Sequence, residues 1–124
     1  MKTIVNILIL LISEYIINML TDVSNPKMVY KRAKKLYGDN IIIKESTRKD
    51  KKYMILDNNT GKYIHFGSLN HLDYTKYLEL YGLDIANNHK ERYLKRALNI
   101  KGNWKSNRYS PNNLSIHLIW MHNM

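Results

Sequence analysis

Tyr53-Met54-Ile55-Leu56-Asp57-Asn58-Asn59-Thr60-Gly61-Lys62-Tyr63-Ile64-His65-Phe66-Gly67 is the stretch on which the fold turns. Two short runs of β-forming residues flank Asp57-Asn58-Asn59-Thr60-Gly61, whose side chains bond their own backbone or tolerate left-handed φ. Gly61 can adopt positive φ without a Cβ clash, so residues 53–56 and 63–66 are expected to pair as a hairpin, with Gly67 ending the sheet. On the N-terminal side, residues 41–44 read as a further strand, joined through the polar link ESTRKDK. Three short antiparallel strands follow.

Helical signals lie on both sides. Asn25 can cap a helix whose first residue is Pro26; Met28, Val29, Ala33, Leu36 and Tyr37 line one side until Gly38, while Lys27, Lys31, Lys34 and Lys35 occupy the other. Downstream, residues 72–81 (LDYTKYLELY) read as a helix stopped by Gly82. Asn88-His89-Lys90-Glu91 has the spacing of a capping box and predicts a basic helix through Leu98. Tyr93, Leu94, Ala97 and Leu98 are its expected docking side. Ser110-Pro111 predicts a closing helix over residues 112–121 that places Trp120 in the core. The expected architecture is α+β: a small three-stranded antiparallel sheet packed with short helices and preceded by an apolar N-terminal helix.

That first segment, residues 1–22, is the strongly apolar part of the chain; residues 25–124 form the basic α+β domain. As a helix, residues 4–20 would span about 25 Å against a bilayer core of about 30 Å. Ile4, Leu8, Leu11, Ile12, Tyr15 and Met19 share one side, while Asn6, Ser13, Glu14 and Asn18 gather toward the other. Such an arc suits a helix buried in protein or lying at an interface, and membrane contact through residues 4–20 stays open. Glu14 weighs against spanning, because an uncompensated carboxylate at mid-span costs about 2.5 kcal/mol or more. A secretory signal fits less well, since no small-residue cleavage site follows the apolar centre.

The chain has 124 residues, enough for one modest domain. It has no cysteine, which removes disulfide frameworks, thiolate zinc sites and thiol nucleophiles. Twenty Lys+Arg face ten Asp+Glu, a net charge of +10, and the excess is concentrated. Residues 27–62 hold eleven basic residues against four acids, and residues 90–108 hold seven against one. Like charges at this density repel one another, so the partner they call for is a polyanion: nucleic acid, an acidic protein face or an anionic lipid surface. A merely solvated face interleaves both signs, whereas Glu91 alone accompanies the seven cations of the second strip. The candidate polyanion-binding residues are therefore Lys31, Lys34, Lys35, Lys51 and Lys52 in the first strip. In the second they are Lys90, Arg92, Lys95, Arg96, Lys101, Lys105 and Arg108. Trp104, beside Lys105, either pins the basic loop or meets a partner.

No catalytic residue, metal ligand or cofactor site is expected. G-x-S-x-G, H-E-x-x-H and phosphate-loop strings do not occur, and Asp73, Glu79 and Asp84 have no spacing that forces them together. His65, His71, His89, His117 and His122 lack the cysteines or clustered carboxylates that would complete a metal site, so they read as packed or solvent-facing rings. Tyr53, Tyr63, Tyr74, Tyr77, Tyr81 and Tyr93 fall at strand or helix spacing and read mostly as core or rim.

Several landmarks together resemble a family of small basic proteins encoded by large nucleocytoplasmic DNA viruses. They are Asn25-Pro26-Lys27, Ala33-Lys34-Lys35, Lys51-Lys52-Tyr53-Met54, Ile64-His65-Phe66-Gly67, Asp73-Tyr74-Thr75, Arg92-Tyr93-Leu94-Lys95-Arg96, Trp104, Pro111 and Trp120. The resemblance covers residues 25–120, with Ala97 standing where the family usually carries His and a longer stretch between Thr75 and His89. It implies a virus-encoded protein in the virion, host cytoplasm or viral factory, with the N-terminal apolar helix added to the family core. The expected function is a non-enzymatic virion component, a minor capsid or packaging-associated protein whose basic strips bind an acidic capsid protein or the genome. The alternative is a sequence-independent nucleic-acid-binding protein acting in the infected cell.

Overall fold

Gly61 adopts φ +71° and donates its N–H to the Asp57 carbonyl at 2.8 Å, while Asp57 Oδ1 accepts from the Asn59 N–H at 2.9 Å. That local turn chemistry joins β2 (Lys51–Asp57) to β3 (Lys62–Ser68) in antiparallel register, with Tyr53 opposite Phe66 and Ile55 opposite Ile64. β1 (Ile43–Glu45) pairs on the other edge of β2, giving the order β1-β2-β3. The protein is thus α+β, as its turn signals predict. The computed structural model describes residues 3–123, with the side chains of residues 4–9 and 19–123.

β2 is covered on both faces. Tyr53 and Ile55 have no exposed surface, and Lys52 and Met54, which point the opposite way, are buried as well. α2 (Pro26–Tyr37) starts where Asn25 Oδ1 accepts the Met28 N–H at 3.3 Å and stops at Gly38, φ +104°. Its Val29 and Ala33 enter the core with Leu20, Tyr53, Phe66, Leu114, Leu118 and Trp120. Burying apolar side chains of this size contributes about 1.5–3 kcal/mol each, so the core rather than the short sheet holds these elements together.

α1 (Thr3–Val23) joins this core through Leu20 in its last turn. At its other end Ile4, Val5, Ile7, Leu8 and Ile9 are all more than half exposed. Among the described residues no helix is long and apolar enough to cross a membrane. The side chains of Leu11, Ile12, Ser13, Glu14, Tyr15 and Asn18, on which the sequence arguments about this helix turn, lie outside the described residues.

Several boundaries differ from the sequence-based expectation. β1 begins at Ile43, because Ile41 and Ile42 lead into the sheet before its ladder starts, and β3 runs through Gly67 to Ser68. α3 (Tyr74–Tyr81) begins after Asp73 instead of at Leu72. α4 (Leu83–Ala97) starts directly after Gly82, so Asn88 and its capping-box spacing lie inside a continuous helix; packing against α3 overrides the local signal. Its docking side runs through the buried Ala86 and Ala97 with the half-buried Tyr93, whereas Leu98 is exposed. The closing helix divides into α5 (Pro111–Leu114) and a π-helical turn, Ser115–Ile119. Ser110 caps it, accepting from the Asn113 N–H at 3.2 Å, and Trp120 is buried as expected.

Candidate polyanion interface

Along α4, His89, Arg92, Tyr93 and Arg96 recur at three- and four-residue intervals and share one side, with Lys95 adjoining. This stripe forms one wall of a cleft of about 950 Å³. The facing wall comes from the first residue of β2 and the last turn of β3: Lys51, Phe66, Gly67 and Ser68, continued by His71 and Leu72. Pro111, Asn112, Ser115, Ile119 and Trp120 close the back. Asn112 fixes that back wall to α4 by donating Nδ2–H to the Ala97 carbonyl at 3.0 Å.

Four aromatic rings stand in series in this cleft. The Tyr77 ring stacks on His89 at 4.0 Å between centroids and on Trp120 at 6.0 Å, and Trp120 stacks on Tyr93 at 4.6 Å. Burial pushes the Tyr93 phenol pKa up, with a hydrogen bond to Ser115 opposing it, so this ring is held in its neutral form. Lys51, Arg92, Lys95 and Arg96 supply positive charge, and among the described residues no carboxylate lines the cleft. Among the described residues the ion pairs are Lys52–Asp73 and Lys76–Glu79, so none of these four cations has an acid within 4.0 Å.

The remaining candidates fall elsewhere, except Lys52, which also borders the cleft. Lys31, Lys34 and Lys35 are exposed on α2. Arg108 lies beside them, donating to the Leu36 carbonyl with its guanidinium 4.4 Å from the centre of the Tyr37 ring. Lys101 and Lys105 are exposed in the loop after α4, where Trp104 donates Nε1–H to the Ile100 carbonyl at 2.7 Å and so pins that loop. Lys90 does not join the cleft. Its ammonium sits 4.9 Å over the Tyr74 ring and donates to the Met121 carbonyl at 3.3 Å, with its pKa lowered by burial and by nearby Arg32.

Lys52 is the clear correction. It is 2% exposed, paired with Asp73 at 0%, and donates to the His71 carbonyl at 2.6 Å. Asp73 also accepts from the Ser24 hydroxyl, which lies 2.5 Å from the Tyr53 hydroxyl. Burial pushes the Asp73 carboxyl up and the Lys52 ammonium down, each opposed by the charge of the other. This cation is a bolt between α1, the sheet and α3, and it is removed from the polyanion-binding set. Gly67 makes room for it: at φ +79°, a Cβ there would lie 3.2 Å from Lys52 Cβ and Cδ.

Residues 41–76 match the model of a family of unknown function, DUF5754. That segment covers less than a third of the chain and contains the sheet, Lys51, Lys52, Tyr53, Gly67 and Asp73. The sheet-side wall of the cleft and three members of the buried polar network therefore fall inside the matched stretch, whereas the α4 stripe and Trp120 lie outside it. No curated protein and no solved structure matches the chain.

Sequence reasoning missed His71, His89, Tyr77 and Trp120 as parts of one site. The i, i+4, i+7 order of His89, Tyr93 and Arg96 was the available signal, but nothing local ties that stripe to Tyr77, His71 or Trp120, which lie on other segments. Among the described residues no cluster of three or more His, Asp or Glu is placed to hold a metal ion.

Proposed function

We propose that this protein is a non-enzymatic, sequence-independent nucleic-acid-binding protein that grips the phosphate backbone through the cleft between α4 and the sheet. The supporting observation is the cleft's charge: Lys51, Arg92, Lys95 and Arg96 converge there, held on rigid elements, with no carboxylate among the described lining residues. Cations so placed meet phosphates without reading base identity. The resemblance to small basic proteins of large DNA viruses makes the viral genome the fitting polyanion, in the particle or in the viral factory.

Each neutralised phosphate releases condensed counter-ions, so four cleft cations give log K a slope of about −3 to −4 against log salt. Lys95→Ala combined with Arg96→Ala is expected to reduce that slope by about 1.4–1.8, measured by anisotropy of a labelled oligonucleotide across a salt series. An affinity that ignores salt, or a double variant with the parent slope, overturns the proposal.

A second reading, a minor capsid protein that binds acidic capsid partners, draws on the exposed cations outside the cleft. Lys34, Lys35 and Arg108 gather at the end of α2, and the exposed apolar start of α1 offers a second contact to a protein or membrane surface. Its test is the presence of the chain in purified particles, and absence from them removes it.

A further inference from the structure

Resting on the nucleic-acid reading, we infer that the cleft receives unpaired bases, so that the ligand is single-stranded nucleic acid and the ring series is its stacking platform. A site built for phosphates alone needs cations and room. This one has in addition His89, Tyr77, Trp120 and Tyr93 stacked one on the next along its interior. His89, Tyr77 and Tyr93 keep partial exposure, unlike Tyr53 and Phe66, whose rings are sealed in the core. Tyr77 and Trp120 each have a ring on either side, so the surface offered to a planar base is the outer face of the partly exposed terminal rings, His89 and Tyr93, and stacking there tolerates every base because each has a π-face. A volume of about 950 Å³ lies at the upper end of the range typical of small-molecule pockets, roughly 300–1,000 Å³, and leaves room for more than one base.

The placement of charge agrees. Arg92 and Arg96 stand one helical turn apart on the same stripe as Tyr93, and Lys51 stands on the facing wall. A strand whose bases turn toward the rings can thereby keep its phosphates against cations. In a duplex the base faces are covered by their neighbours, so a duplex can use the cations but not the rings.

The test uses the full chain carrying Trp104→Phe, which leaves Trp120 as its remaining indole. It is titrated at one salt concentration with oligothymidylate, with an abasic oligomer of equal length and with a duplex of equal length. Oligothymidylate is expected to quench Trp120 fluorescence and to bind roughly tenfold more tightly than the abasic strand, the effect of stacking about one base. His89→Ala, a half-exposed position, should narrow the gap between oligothymidylate and the abasic strand. Tyr93→Leu should narrow it further.

Equal affinity for the abasic strand and oligothymidylate, without quenching, overturns this inference and leaves backbone binding standing. A duplex bound as tightly as oligothymidylate also overturns it. If none of the three binds, the backbone reading falls with it.

Discussion

Lys52 and Asp73 show how much one buried pair can ask of its surroundings. Removing two charges from water costs several kcal/mol per ion, offset here by their mutual attraction and by Ser24, Tyr53 and the His71 carbonyl. Asp73→Ala deletes one partner and strands the ammonium, so it is expected to destabilise the protein by about 3–5 kcal/mol, enough to unfold a marginal domain. Lys52→Met combined with Asp73→Asn should recover much of that loss. Urea unfolding checks both; a midpoint for Asp73→Ala no lower than that of the exposed substitution Lys34→Ala would sink the account. Gly67→Ala belongs to the same arrangement. It forces a left-handed φ on a residue with a Cβ and crowds Lys52, for an expected cost of about 1–3 kcal/mol. None of this is readable near Lys52 itself. In the sequence it is one of four cations within five residues, and its partner lies 21 positions further along.

At the scale of elements, the end of α2 is held by a reciprocal clasp. Tyr37 donates its hydroxyl to the Arg108 carbonyl at 2.7 Å while the Arg108 guanidinium caps the Leu36 carbonyl, placing a cation at the negative end of the helix. Burial, reinforced by Tyr109 and opposed by Arg108, raises the Tyr37 pKa to about 12 from 10.0. The folded state therefore keeps a proton that the unfolded chain releases near pH 10. The stability this adds is full below pH 10 and lost as pH rises toward 12. Urea midpoints between pH 9 and pH 12, on roughly that scale, should fall less steeply for Tyr37→Phe than for the parent. Burial raises Tyr30, Tyr53 and Tyr93 as well, so the comparison isolates one phenol.

The end of the chain is gathered in a similar way. Arg32 donates to the carbonyls of His117 and His122, the latter at 2.7 Å, and Lys90 donates to that of Met121. The π-helical turn is therefore tied to α2 as well as held by its own ladder. Arg32→Met is expected to raise hydrogen exchange over residues 115–122 while leaving the hairpin protected; unchanged exchange there would refute it. Asn25-Pro26, Ser110-Pro111 and the hairpin turn were legible because each signal is local. The start of α4 was not, because Gly82 both ends α3 and begins α4, and antiparallel packing carries the second helix straight through Asn88.

Across the whole molecule, a net charge of +10 has very little internal relief. Among the described residues two carboxylates take part in ion pairs, and one of those pairs is sealed in the core. Self-repulsion of this kind weakens the free protein and is relieved by a bound polyanion. Oligonucleotide at about a hundredfold over its Kd should stabilise the fold by about 2.7 kcal/mol, read as a rise in the thermal midpoint. The Lys95→Ala, Arg96→Ala variant should show a smaller rise at the same concentration, and an equal rise would place the binding elsewhere.

By itself the sequence determined the strand–turn–strand unit, the caps of α2 and α5 and the local excess of cations, because turn chemistry and charge density act over a few residues. Tertiary structure alone decided that Lys52 would be a core bolt, that Lys90 would turn to the end of the chain and that four rings would line up beside Lys51, Arg92, Lys95 and Arg96. Those outcomes depend on which surfaces exclude water together, and contacts between distant segments leave no periodicity in the chain.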